Sequence, residues 1–189
     1  MTSQLSILTA VFLCGCSGSK SDDSANSEDT FPDTITGSLW AESVTELTTN
    51  ASVSGDLSDG RTIDLSFASQ SDMACWPATE DTNFEGKHVY YAVALPADLE
   101  LTATVAPASG VDVSLYMYQL ATDSYYTPEE VPYSVSCEAG YDMAGNSNPG
   151  EPESARLSAS SNPYNVFIGV AGAAGEISGG YTLSLAIEE

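Results

Sequence analysis

The sequence predicts an all-β fold: an antiparallel two-sheet β-sandwich of jelly-roll type, preceded by a signal peptide and a disordered tether. Three observations predict it. Short segments alternate apolar and polar residues with a period of two, the pattern of strands with one side buried. Gly, Pro, Asn and Asp clusters separate these segments at short intervals. Downstream of the tether no stretch carries a convincing helical period.

Taken in order, one or two weak strands fall between Ile35 and Val53, and another between Ile63 and Phe67. The clearest strand is HVYYAVAL, which places Val89, Tyr91, Val93 and Leu95 inward and His88, Tyr90, Ala92 and Ala94 outward. LELTATVAP turns Leu99, Leu101, Ala103 and Val105 inward, and VDVSLYMY does the same with Val111, Val113, Leu115 and Met117. Pro96 and the turn segment APASG separate these three, so a meander is the simplest connection. Tyr133 to Cys137 and Ala155 to Ala159 are weaker candidates. YNVFIGVAG then buries Tyr164, Val166, Ile168 and Val170, and GYTLSLAIE buries Tyr181, Leu183, Leu185 and Ile187. Roughly eight short strands build a sandwich, with a closed barrel as the structural alternative.

The N-terminal residues 1–15 read as a lipoprotein signal peptide. Leu5 to Leu13 form an apolar run too short to span a bilayer as a helix, in the usual range for a secretory signal. The junction LCGC resembles the bacterial lipobox, which implies cleavage before Cys16 and lipid attachment to its sulfur. Several acyl chains on one residue hold a protein on a membrane durably. Ser17, rather than Asp, follows the lipid site, and the resemblance implies the outer membrane. The leader lacks the expected Lys or Arg, so a plain secretory leader and a start upstream of Met1 stay open. Residues 16–34 form an acidic, Ser-rich tether with too little apolar surface to fold. Residues 35–189 form the single sandwich domain.

Charge narrows the partners. The 189 residues carry 27 Asp and Glu against four Lys and Arg, a formal −23 at neutral pH. That field repels phosphate backbones, which argues against nucleic acid, and it disfavours direct docking on anionic lipid. Membrane association therefore requires a covalent anchor.

Cys14 leaves with the leader and Cys16 takes the lipid, so Cys75 and Cys137 remain as a pair. In an oxidising compartment a disulfide is the default. Closing a loop of some sixty residues is worth about 4 kcal/mol in the chain-entropy model.

No catalytic constellation is legible. His88 is the one histidine, and it reads as an outward surface residue. No GxSxG, HExxH, P-loop or GxGxxG motif is present. Two candidate binding features follow. Outward Tyr116 and Tyr118, with Tyr125 and Tyr126 in the loop after them, are candidates for a stacking platform for sugar or peptide, since aromatic rings supply contact area at little entropy cost. Packing beneath the following long segment is their alternative. Asp112, Glu138, Asp142 and Glu153 lie in or beside turns, where calcium finds oxygen ligands, with solvated loop acids as the alternative.

The stretch from Phe84 to Ile187 resembles the bacterial pre-peptidase C-terminal domain. The matching pieces are FEGKHVYYAVALP, LTATVAPASGVDVSLYMY, and YNVFIGVAG followed by GGYTLSL, in the expected order. The resemblance implies a non-catalytic β-sandwich involved in substrate or surface binding. This chain departs in having no peptidase attached and in its long segment from Gln119 to Pro152. The expected function is therefore a non-catalytic, membrane-anchored binding or accessory module for a polysaccharide, peptide or envelope protein. A structural envelope component and a hydrolase with a carboxylate site are the alternatives.

Overall fold

Alternation becomes strands wherever two apolar faces can meet, and nine strands form among the described residues. A computed structural model describes residues 39–41, 43–70, 75–130, 134–142 and 148–189, within the unit Thr36–Glu189. The leader, Cys16, the tether and Tyr133 lie outside the described residues.

The strands are β1 (Val44–Glu46), β2 (Ser52–Asp56), β3 (His88–Leu95), β4 (Leu99–Pro107), β5 (Val113–Leu120), β6 (Ser136–Gly140), β7 (Glu153–Ala159), β8 (Tyr164–Gly172) and β9 (Gly180–Glu188). They form a five-stranded sheet in the order β1-β3-β8-β5-β6 and a four-stranded sheet in the order β2-β9-β4-β7. The two-sheet sandwich is thus as the alternation predicts. All pairings are antiparallel except β1 with β3.

Two details differ from the expectation. The segments β3, β4 and β5 are not a meander, because the chain crosses to the opposite sheet at each turn between them. Crossing sets the inward faces of β3 and β4 against each other across the core, where a hairpin would lay them side by side on one sheet. The corners accommodate this with left-handed backbone at Asp98 (φ 61°) and Gly110 (φ 82°). The segment Ile63 to Phe67 is not a strand either. Asp64 Oδ1 accepts a hydrogen bond from the Ser66 backbone N–H at 2.9 Å, and this local bond starts the short helix α1 (Ser66–Gln70).

Every inward set read from the alternation faces the inter-sheet core, which is centred on Leu101, Val105, Leu115, Ile168 and Leu183. A second apolar cluster lies on the other face of the five-stranded sheet. There Trp76, Phe84, Ala68 and Trp40, supplied by segments outside the strands, cover Tyr90, Tyr116, Tyr118 and Phe167. This sheet is therefore buried on both faces, which is why β5 is buried at all eight positions.

Candidate functional site

The covered face determines what the predicted site residues can do. Tyr90 of β3, Gly169 of β8 and Tyr116 of β5 share one row across the sheet. With no side chain at Gly169, the Tyr116 ring lies over the β8 backbone, and a Cβ there would sit 2.2 Å from its Cζ. The Tyr116 hydroxyl donates to His88 Nδ1 at 3.0 Å, and His88 Nε2–H donates to the Phe84 carbonyl at 2.7 Å. A carbonyl only accepts, so Nε2 carries a proton, and burial, which disfavours the charged ring, leaves Nδ1 as the acceptor at neutral pH. Burial pushes the His88 pKa down to about 4.

His88 is therefore a buried structural residue, contrary to the outward position read from the strand phase. Tyr116 and Tyr118 are likewise not a surface platform. They are 0% and 1% exposed, beneath Trp76 and Phe67. Trp76 stacks on Phe84 at 3.8 Å, and the Cys75–Cys137 disulfide ties this covering segment to β6. Tyr125 is half-buried against Trp40 and its hydroxyl donates to the Thr122 carbonyl, while Tyr126 is exposed. At the rim Arg61 forms a paired contact with Glu129, one arm at 2.8 Å, and stands over the Tyr90 ring.

The calcium candidates divide. Asp112, Asp142 and Glu153 come close enough to interact, through the chain before β5, the chain after β6 and the start of β7. Burial, then the charge and side-chain hydrogen bond of Asp142, then the charge of Asp112, raise the Glu153 pKa to about 7. Glu138 is exposed on β6 opposite Met117. Among the described residues no group of three or more His, Cys, Asp or Glu is arranged to hold a metal ion.

A different acidic feature was not singled out from the sequence. Ser158 of β7, Glu100 of β4 and Glu188 of β9 share a row across three strands of the four-stranded sheet. With Asp98, Leu99 and Glu189 they line an open concavity of about 420 Å³. Ser158 Oγ donates to Glu100 Oε2 at 3.1 Å, and Arg156 reaches Glu100 Oε1 at 3.4 Å. Like charges directly opposite on neighbouring strands are unfavourable, so the pairing of Glu100 with Glu188 does not serve the sheet. The strand phase places both glutamates outward, but only the strand order makes them neighbours.

No protein-family model matches the chain, and no curated protein matches it. Three solved structures are similar. The pre-peptidase C-terminal domain of a Bacillus anthracis collagenase is 12% identical with a TM-score of 0.40, over 78% of this chain and 99% of that one. The Aeromonas hydrophila protein PliG, a periplasmic inhibitor of g-type lysozyme, is 10% identical with a TM-score of 0.39, over 77% and 97%. CorA, a surface-associated copper-binding protein of Methylomicrobium album BG8, is 11% identical with a TM-score of 0.40, over 77% and 99%. None of the three transfers a ligand to this chain.

Proposed function

We propose that this protein is a non-catalytic binding module of the cell envelope, whose acidic concavity takes a Lys- or Arg-rich segment of a peptide or of a neighbouring envelope protein. The observation that supports the reading is the Glu100–Glu188 juxtaposition. Glu100 and Glu188 are register partners on adjacent strands, where like charges are unfavourable, and a bound ammonium or guanidinium would add to the partial offset that Arg156 gives Glu100. The non-catalytic reading draws on His88, which burial and two hydrogen bonds hold neutral and away from solvent. The disulfide fits an envelope or extracellular location.

Titrating the full chain with an oligolysine peptide and with a neutral polysaccharide tests the proposal. The peptide binds with a steep salt dependence, and Glu100→Gln with Glu188→Gln weakens it at least about tenfold, since both rim charges act at short range. Equal binding by the double variant, or a preference for the polysaccharide, overturns the reading. The anchor is a separate proposal. Cys16→Ser abolishes incorporation of labelled palmitate, and unchanged labelling would discard it.

A further inference from the structure

The covering layer on the five-stranded sheet is joined to it differently from the way the strands join one another. Among the described residues 62–70 and 75–84, backbone hydrogen bonds run mainly within the layer: Ala68 N to Leu65 O, Glu80 N to Pro77 O, Phe84 N to Asp81 O. The Trp76 indole N–H also stays local, donating to Asp81 Oδ1 at 2.9 Å. One backbone bond reaches the sheet side, from Ala174 N to Thr82 O. Two side-chain bonds cross as well, from His88 Nε2–H to the Phe84 carbonyl at 2.7 Å and from the Asn83 side-chain amide to the Asp142 carbonyl at 3.0 Å, and apolar contact and one covalent tie add to these. Cys75 lies in the layer and Cys137 on the edge strand β6, whose register partner is Tyr118. Both cysteines are half-buried, so a small thiol can reach them.

The surface beneath is unlike an ordinary core. Among the described residues the Tyr118 hydroxyl is buried there without a hydrogen-bond partner. Such a group regains hydrogen bonds on exposure to water, which lowers the cost of uncovering it. The inter-sheet core contributes none of this: its Tyr91 and Tyr181 hydroxyls bond each other at 3.0 Å. The covering layer and the orphan Tyr118 hydroxyl therefore occupy the same side of the molecule.

We propose that the Cys75–Cys137 disulfide is a redox-sensitive latch, whose cleavage by a dithiol releases the covering layer and bares the Tyr90–Tyr116–Tyr118 surface while the two-sheet sandwich persists. The exchange balances. The two thiols of the reductant become its disulfide, and the Cys75–Cys137 bond takes up two electrons and two protons to give two thiols. Opening then follows from lost loop closure, and the element that opens is one that no strand ladder ties to the sheets.

Amide exchange of the full chain, oxidised and after dithiol treatment, tests this, with an apolar dye and far-UV circular dichroism alongside. Reduction lowers protection across Trp76–Phe84 by about a hundredfold or more, leaves β4, β8 and β9 protected, and produces dye binding with unchanged strand content. The Cys75→Ser, Cys137→Ser double variant behaves like the reduced protein without any reductant. Unchanged protection at Trp76–Phe84 overturns the proposal, and so does loss of protection in all strands together, which would make the layer part of one cooperative unit.

Discussion

His88 Nδ1 accepts a 3.0 Å hydrogen bond from the Tyr116 hydroxyl, and this pairing works only while the imidazole is neutral. Burial holds the folded pKa near 4, against about 6.5 in an unfolded chain. Between those values the unfolded state binds more protons than the folded one, so stability is lost as pH falls from about 6.5 to 4. The shift corresponds to about 3 kcal/mol. Chemical denaturation across that range shows the slope for the native chain. His88→Gln keeps a donor and an acceptor but cannot titrate, and it flattens the slope.

Gly169 and Tyr116 are coupled by space. A methyl group at position 169 would collide with the Tyr116 ring, and that ring is packed against Trp76, Phe84 and Phe167. Gly169→Ala therefore destabilises the domain by about 3 kcal/mol, as overpacking in a filled core does. Shortening the ring relieves the clash: the Gly169→Ala, Tyr116→Leu pair is less destabilised than the two single changes added together. Thermal unfolding of the four proteins closes the cycle. Additive losses would remove the steric explanation.

Glu153 titrates in the opposite sense to His88. Its folded pKa of about 7 lies above the ordinary carboxyl value, chiefly because burial and the Asp142 charge oppose ionisation. The folded state binds more protons between about 4.5 and 7, so this group makes stability fall as pH rises through that window. Glu153→Gln is neutral throughout and stabilises the domain at pH 8 by about 1 kcal/mol, a value discounted for solvent screening at a partly exposed site. No gain at alkaline pH would mean that the three acids do not interact.

The sandwich was legible because alternation reports directly on a sheet face. Leu101, Ala103 and Val105 had to point together, and an apolar row of that kind needs a facing sheet. The burial of His88 was not legible, because the residues that cover this face of the sheet, Trp76, Phe84 and Phe67, come from segments outside the alternating strands. A period-two reading assumes that the second face of a strand meets water, and an aromatic layer built from loops and short helical turns breaks that assumption. Residue identity carried a partial signal: Tyr90, Tyr116, Tyr118 and Phe167 are large for exposed positions on one sheet. The Glu100–Glu188 pair was hidden for a different reason. Each glutamate is an ordinary outward residue of its own strand, and their meeting depends on β4 pairing with β9 across more than eighty residues of sequence.

The acidic balance of the chain predicts a salt response. Compaction brings together the many carboxylates of the domain, and among the described residues the ion pairs of Arg61 with Glu129 and Arg156 with Glu100 offset only part of their repulsion. Raising ionic strength from about 0.01 to 1 M shortens the screening length from roughly 30 to 3 Å and removes most of the repulsion between exposed groups. Sodium chloride then stabilises the domain by about 1 kcal/mol, or roughly 3 °C in Tm. The Glu100→Gln, Glu188→Gln double variant separates the local from the global contribution. If the two glutamates dominate, the variant is more stable at low salt and responds less to added salt. A full salt response in the variant would assign the repulsion to the whole acidic surface instead, and would weaken the case that this pair is held against its own repulsion to receive a cation.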